Sequence, residues 1–350
     1  VFFRGHPTVP DRGGAGQGSA RPRPARTALM LGAGVAALVG TILLSLLMGS
    51  NPTSVSDVWT ALTGDSDSFV TTVVESRYPR TVLGVVAGAA LALAGTLMQG
   101  VTRNPLADPG LLGVNAGAAA AVVTATALLG PTSVTGTVWW SLPGALAAGL
   151  AAYTVGSRGG DGGMVRLVLA GAVVSAVLTA YVQAVALSMP ETFDSYRYWV
   201  VGSLAGRDFD VIWAVLPVIG TGVLLALLVC GGLNALALGE EAAIATGANT
   251  VWTRSAGLVA GTLLAAGATA AAGPIAFVGL AVPHVVRALV GVDFRVQVPF
   301  ALLAGPTLLL LADVVGRTIV RPTELMVGVV TAFVGAPVLL YAVRRMRSTP

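Results

Sequence analysis

The sequence predicts an all-α polytopic membrane protein, with about ten transmembrane helices and an inverted internal repeat formed by spans 2–5 and 7–10. Three observations carry that prediction. Of 350 residues, 55% are hydrophobic and only 10% charged, against about 25% charged in a soluble domain. A chain so poor in charge cannot clothe a water-facing surface and must turn its outside to lipid. Several apolar runs approach the ~20 residues that cross a bilayer as a helix, and a helix satisfies every backbone polar group inside lipid. Lastly, Gly84, Val86, Ala87, Gly88, Leu91 and Ala92 recur at the same spacing as Gly257, Val259, Ala260, Gly261, Leu264 and Ala265. Both copies carry GxxxG, which lets helix backbones approach closely. They lie five spans apart and so run in opposite directions, a pattern found in transporters.

Residues 1–26 are rich in Gly, Pro and Arg and read as a disordered cytoplasmic arm, ahead of one transmembrane domain over residues 27–347. Basic residues before an apolar run also suit a signal peptide. The run 28–48 is too long for a signal h-region and has no convincing cleavage site, so a retained span is expected. Further spans are expected at 80–100, 110–129, 137–156, 165–188, 211–232, 253–272, 275–291, 298–317 and 325–343. Pro79 suits the first turn of the second span, and Asn104-Pro105 and Asp108-Pro109 break the chain after it. An even count puts both termini on one side. With the termini inside, fourteen of the 20 basic residues, all arginine, fall in cytoplasmic segments, the positive-inside bias. These loop arginines account for the net charge of +4 without a nucleic-acid partner. Cys230 is the single cysteine, and His6 and His284 are the only histidines, so no disulfide framework or Cys/His metal centre is expected.

Four polar stretches interrupt the apolar background. Arg77-Tyr78-Pro79-Arg80 leads into GAALALAGTLMQ (88–99) and RNPLADPGLLGVNAGA (103–118). YRYWVVGSLAGR (196–207) has the aromatic and arginine mixture of an external interfacial segment. LGEEAAIATGA (238–248) is a short acidic, Ala-rich helical patch flanked by glycines. GPIAFVGLAVPHVVRALVGVDFR (273–295) is followed by LLADVVGR (310–317) and ELMVGVVTAFVGAP (324–337).

With these motifs in this order, the sequence resembles the iron–siderophore and cobalamin ABC permease family over roughly residues 30–345, nearer its ferric-siderophore members. The resemblance implies the permease subunit of an ATP-driven importer in a bacterial cytoplasmic membrane, with both termini cytoplasmic. It implies a second permease subunit, two cytoplasmic ATPase chains that carry ATP and magnesium, and an extracytoplasmic siderophore-binding protein. This chain itself would hold no cofactor, metal or catalytic residue. Leu238, Gly239, Glu240, Glu241, Ala242, Ala243, Thr246 and Gly247, within coupling helices at about 235–249, match the family's ATPase-coupling element. Ala243 is expected to project away from the membrane core. Arg77 and Arg80, with Arg317 as a third, match arginines that receive acidic knobs of the binding protein. The fifth and tenth spans would wall the pathway. The gate would lie near Gly162, Gly163, Met164, Val165 and Arg166, where Gly-Gly-Met-Val replaces the small hydroxyl residues of the cobalamin permease.

Plainer readings stand beside these. The three arginines could be helix-end anchors at the headgroups, and Glu240 and Glu241 a solvated loop face. Asp313 and Glu324 are expected to pair with Arg317 and Arg321 rather than relay protons. His284, after Pro283, reads as a structural histidine bonded to neighbouring backbone. A cobalamin or haem importer permease is the near alternative. An ion-coupled secondary transporter fits the repeat but has few intramembrane ionisable groups for coupling. An intramembrane enzyme needs a nucleophile–base pair or metal constellation, and neither is apparent. No GxxxxGK[ST] phosphate loop occurs in the sequence, so ATP is expected on a partner.

Overall fold

The computed structural model describes residues 24–50, 56, 59, 60, 68–157 and 163–347. Every expected span meets a helix. In chain order these are α1 (Pro24–Leu47), α2 (Ser68–Thr102), α3 (Val114–Leu129), α4 (Val134–Gly156), α5 (Gly163–Ser188), α6 (Pro190–Val200), α7 (Phe209–Ala237), α8 (Glu240–Ala245), α9 (Thr250–Ala272), α10 (Val278–Val290), α11 (Phe294–Ile319) and α12 (Val327–Arg347). Short α6 and α8 lie between the apolar helices. Seven helices among the described residues have the length and composition to cross a membrane, and α3, α10 and Val327–Pro337 of α12 are shorter apolar helices.

Three expectations need correction. The expected arm 1–26 lies outside the described residues up to residue 23, and its last residues already belong to α1. The second span starts at Ser68, so Pro79 sits inside α2 rather than in its first turn. Proline removes one helical hydrogen bond. Glu75, whose carbonyl loses that partner, is exposed, so the vacancy falls where water can fill it. The spans expected at 110–129 and 275–291 both begin in irregular backbone. A 3-10 turn (Pro109–Leu112) ending at Gly113 precedes α3, and residues 273–277 precede α10.

Those two interruptions are related by the repeat. With 16 and 13 residues, α3 and α10 measure about 24 and 20 Å at 1.5 Å per residue, short of the ~30 Å hydrocarbon core. Each is the second helix of its half, and paired short helices in corresponding positions mark the inverted-repeat transporter plan. His284 of α10 ties the two regions together, its Nε2 lying 2.9 Å from the Pro105 carbonyl. It is the structural histidine expected, though its backbone partner lies far away in sequence.

The first helices of the two halves, α2 and α9, form the centre. In each, 78% of the most apolar window is buried, against 11% in α1 and 22% in α5. Lipid offers no hydrophobic drive to bring helices together, so close packing must hold them. Gly95 packs against the Gly279 backbone, where any Cβ would collide with the Gly279 carbonyl, and Gly88 and Gly305 let α2 cross α11 in the same way. The second GxxxG copy, Gly257 and Gly261, brings α9 onto Val101 and Met98 of α2. Four spanning helices separate α2 from α9, so they run antiparallel. Their N-terminal ends therefore reach opposite faces of the bundle.

Candidate docking and coupling sites

About three turns into α2, where it passes the end of α1, the chain assembles a charged cluster from four segments. Arg80 donates from Nε to both Asp313 oxygens (3.2 and 3.1 Å) and from Nη2 to Asp313 Oδ1 (2.8 Å). Its Nη1 donates to Glu324 Oε2 at 2.8 Å. Arg317, one turn beyond Asp313 on α11, pairs with Asp313 Oδ2 at 3.0 Å and donates to the carbonyl and hydroxyl oxygens of Ser45. Arg77 Nη1 donates to the carbonyls of Leu46 and Leu47 at 2.8 and 3.1 Å. These are the last residues of α1, whose carbonyls lack helical partners.

The members differ in exposure. Asp313 and Arg317 are each 1% exposed and Arg77 5%, while the Arg80 and Glu324 side chains are 12% and 30% exposed. A cavity of about 130 Å³ lies over the cluster, lined by Arg77, Arg80, Arg317, Glu324, Ser50 and Ser76. Burial alone would raise the pKa of Glu324. The hydrogen bond and charge of Arg80, helped by Ser50 and Arg317, outweigh burial and hold it below the usual glutamate range.

The three predicted arginines therefore meet in one cavity wall. Arg77 and Arg317 are too buried to be free headgroup anchors. Asp313 pairs with Arg317 as expected, but the Glu324 pairing is corrected: its partner is Arg80, not Arg317 or Arg321. The tight α2–α11 crossing at Gly88 and Gly305 carries Arg80 over both carboxylates.

At the opposite face, α8 is a six-residue helix between Gly239 (φ 114°) and Gly247 (φ 78°), backbone conformations that glycine adopts without strain. Glu240 accepts both Nη groups of Arg254 on α9, at 3.0 and 2.9 Å. Asn249 caps α9 by accepting from the Trp252 amide at 2.9 Å. Alongside, Asn234 of α7 donates to Asp293 Oδ1 (2.6 Å) and accepts from the Phe294 amide (2.8 Å), joining α7 to the start of α11. Glu241, Ile244, Ala245, Thr246 and Gly247 are exposed, as is Leu238 just before the helix. Ala243 is completely buried, which corrects the expectation that it projects outward. A single helical turn lying on the bundle must bury one face, and the smallest side chain on that face permits the closest seat.

Gly162 lies outside the described residues, and Gly163, Met164, Val165 and Arg166 form the first turn of α5. Val165 begins an exposed row continued by Leu169, Val173 and Val177, four residues apart and so on one helix face. Among the described residues no group of three His, Cys, Asp or Glu side chains can hold a metal ion. The sequence reasoning missed the Arg254–Glu240 pair and Arg80 as the hub of the acidic residues. The signal for the first was an acidic residue in a short loop helix shortly before an arginine. The second joins positions 233 residues apart and leaves no local pattern.

Among the described residues, seven apolar helices long enough to span and three shorter ones, with a charged cavity at one face and a short exposed helix at the other, define a polytopic membrane protein on a transporter plan. The chain belongs to the FecCD transport family, whose model matches residues 37–345. It is 48% identical over 305 residues to the ferric enterobactin transport system permease protein FepD of Escherichia coli K12, covering 86% of this chain and 91% of that one. It is 38% identical over 311 residues to the Fe(3+)-citrate import system permease protein YfmD of Bacillus subtilis 168, covering 87% and 91%. A solved structure described as an inward-facing metal-chelate type ABC transporter superposes with a TM-score of 0.79 at 26% identity, covering 91% of this chain and 99% of the other.

Proposed function

We propose that this chain is the permease subunit of an ATP-driven importer that moves a ferric siderophore into the cytoplasm. The observation that carries the reading is the pairing of two different polar surfaces with opposite ends of one buried helix pair. The Arg77–Arg80 cavity, with Arg317 as its floor, is suited to an acidic knob of an extracytoplasmic binding protein, since arginine binds carboxylate by charge-assisted and often bidentate hydrogen bonds. At the other end α8 offers Leu238, Glu241 and Ile244 to a cytoplasmic ATPase. The exposed α5 row is suited to a second permease subunit across a shared pathway, with the expected gate at its first turn. On this reading both termini lie in the cytoplasm, and the ATPase chains hold ATP with magnesium. The relatives named for ferric enterobactin and Fe(3+)-citrate support iron-chelate cargo.

Affinity purification of the tagged permease from membranes, followed by mass identification of what remains bound, tests the reading. Two ATPase chains and a second permease subunit, identical to this one or different, are expected. A permease that purifies alone and imports iron chelate on an ion gradient would overturn it in favour of a secondary transporter.

A further inference from the structure

The polar link between α8 and the rest of the bundle is narrow. Among the described residues, the bidentate Arg254–Glu240 pair is the only ion pair that reaches α8, and the other hydrogen bonds of its backbone and side chains stay within residues 235–248. Gly239 and Gly247 bracket the helix, and small residues at element ends absorb backbone rotation in hinges. Held by Ala243 alone, a pushed α8 would turn on its glycines rather than carry α9 with it. A two-bond guanidinium–carboxylate contact fixes orientation as well as separation.

The helix at the other side of that contact is suited to pass movement on. Arg254 lies in the second turn of α9, which is largely buried and seats Gly257 and Gly261 on Val101 and Met98 of α2. The far end of α2 carries Arg80 with its two carboxylates.

We propose that Arg254 is a positioning residue: through Glu240 it locks α8 to α9, so that displacement of α8 by a seated ATPase moves the α9–α2 pair instead of dissipating in the glycine hinges. This rests on the reading of α8 as the ATPase seat. The test compares wild type, Arg254→Gln, Glu240→Gln and the exchange Glu240→Arg with Arg254→Glu, each purified with its ATPase chains and reconstituted with binding protein. Ferric enterobactin serves as the probe cargo. Two quantities are read: ATPase chains per permease, and ATP hydrolysed per chelate imported. Each single variant is expected to keep its ATPase chains and raise ATP consumed per chelate by up to roughly fivefold, the most that an exposed pair worth about 0–1 kcal/mol allows. The exchange, which restores an opposite-charge pair, should recover most of that loss, a recovery that mere structural damage would not give. An unchanged ratio in the single variants, or an exchange as defective as they are, overturns the clamp alone. A wild-type permease that holds no ATPase overturns the seat reading and the clamp with it.

Discussion

Asp313→Asn probes the charged cavity most sharply, because one carboxylate serves two guanidiniums. Asp313 is 1% exposed and accepts from Arg80 at 3.2, 3.1 and 2.8 Å and from Arg317 at 3.0 Å. The amide keeps the volume, removes the charge, and turns an NH2 donor toward donors. The one remaining amide oxygen can serve only one guanidinium, which leaves the other with Ser45 alone, if it is Arg317, or with Glu324 alone, if it is Arg80. Breaking a buried ion pair by neutralising one partner costs about 3–5 kcal/mol, and with two arginines left behind the upper part of that range is expected. Glu324→Gln is the internal control. That side chain is 30% exposed and makes one contact with Arg80, and pairs of that kind contribute about 0–1 kcal/mol. Unfolding of purified protein in mixed dodecylmaltoside–SDS micelles, followed by circular dichroism, measures both. Equal and small losses, under about 1 kcal/mol each, would refute the reasoning, because they would mean that water reaches Asp313 and the cavity is not a fixed structure.

Further outcomes follow from the packing. Gly95→Leu should prevent folding or cost more than the roughly 1–3 kcal/mol of ordinary overpacking, since its Cβ meets the Gly279 backbone; expression and gel-filtration profile report it. Ala243→Trp should unseat α8 and destabilise the permease, because Ala243 is fully buried, while Ile244→Trp, at a residue 61% exposed, should fold normally yet lose the ATPase on purification. The Glu324 pKa is depressed in the fold, so its contribution is fully present above the unfolded-state pKa and is lost as pH falls through the folded value. The stability difference between wild type and Glu324→Gln should hold steady from neutral pH down to the usual glutamate range and vanish below it.

The fold was legible because lipid imposes one requirement on every span. Apolar length alone located the ten apolar helices among the described residues, and the Gly84–Ala92 repeat identified α2 and α9 as counterparts. Where the helices start was less legible. Residues 68–79 extend α2 beyond the apolar window read from the sequence, into a charged stretch where Arg77 bonds the end of α1. The short α3 and α10 were overestimated because Leu111 and Ile275 look apolar whether helical or not. At the sites, motif matching brought Arg77, Arg80 and Arg317 to one place, but their partners come from a helix crossing that sequence spacing does not encode. Ala243 was misassigned for a similar reason. One turn of helix has no periodicity to show which side faces the protein.

The account as a whole stands on α8 being the place where ATP hydrolysis enters this chain. Uptake of ferric enterobactin into proteoliposomes containing permease, ATPase chains and binding protein, with wild type compared against Ile244→Trp, tests that most directly. The account predicts uptake that requires ATP in wild type and ceases in the variant, with the variant permease folded and free of ATPase. Normal ATP-driven uptake by Ile244→Trp, or uptake by wild type that runs on an ion gradient without ATP, would contradict it.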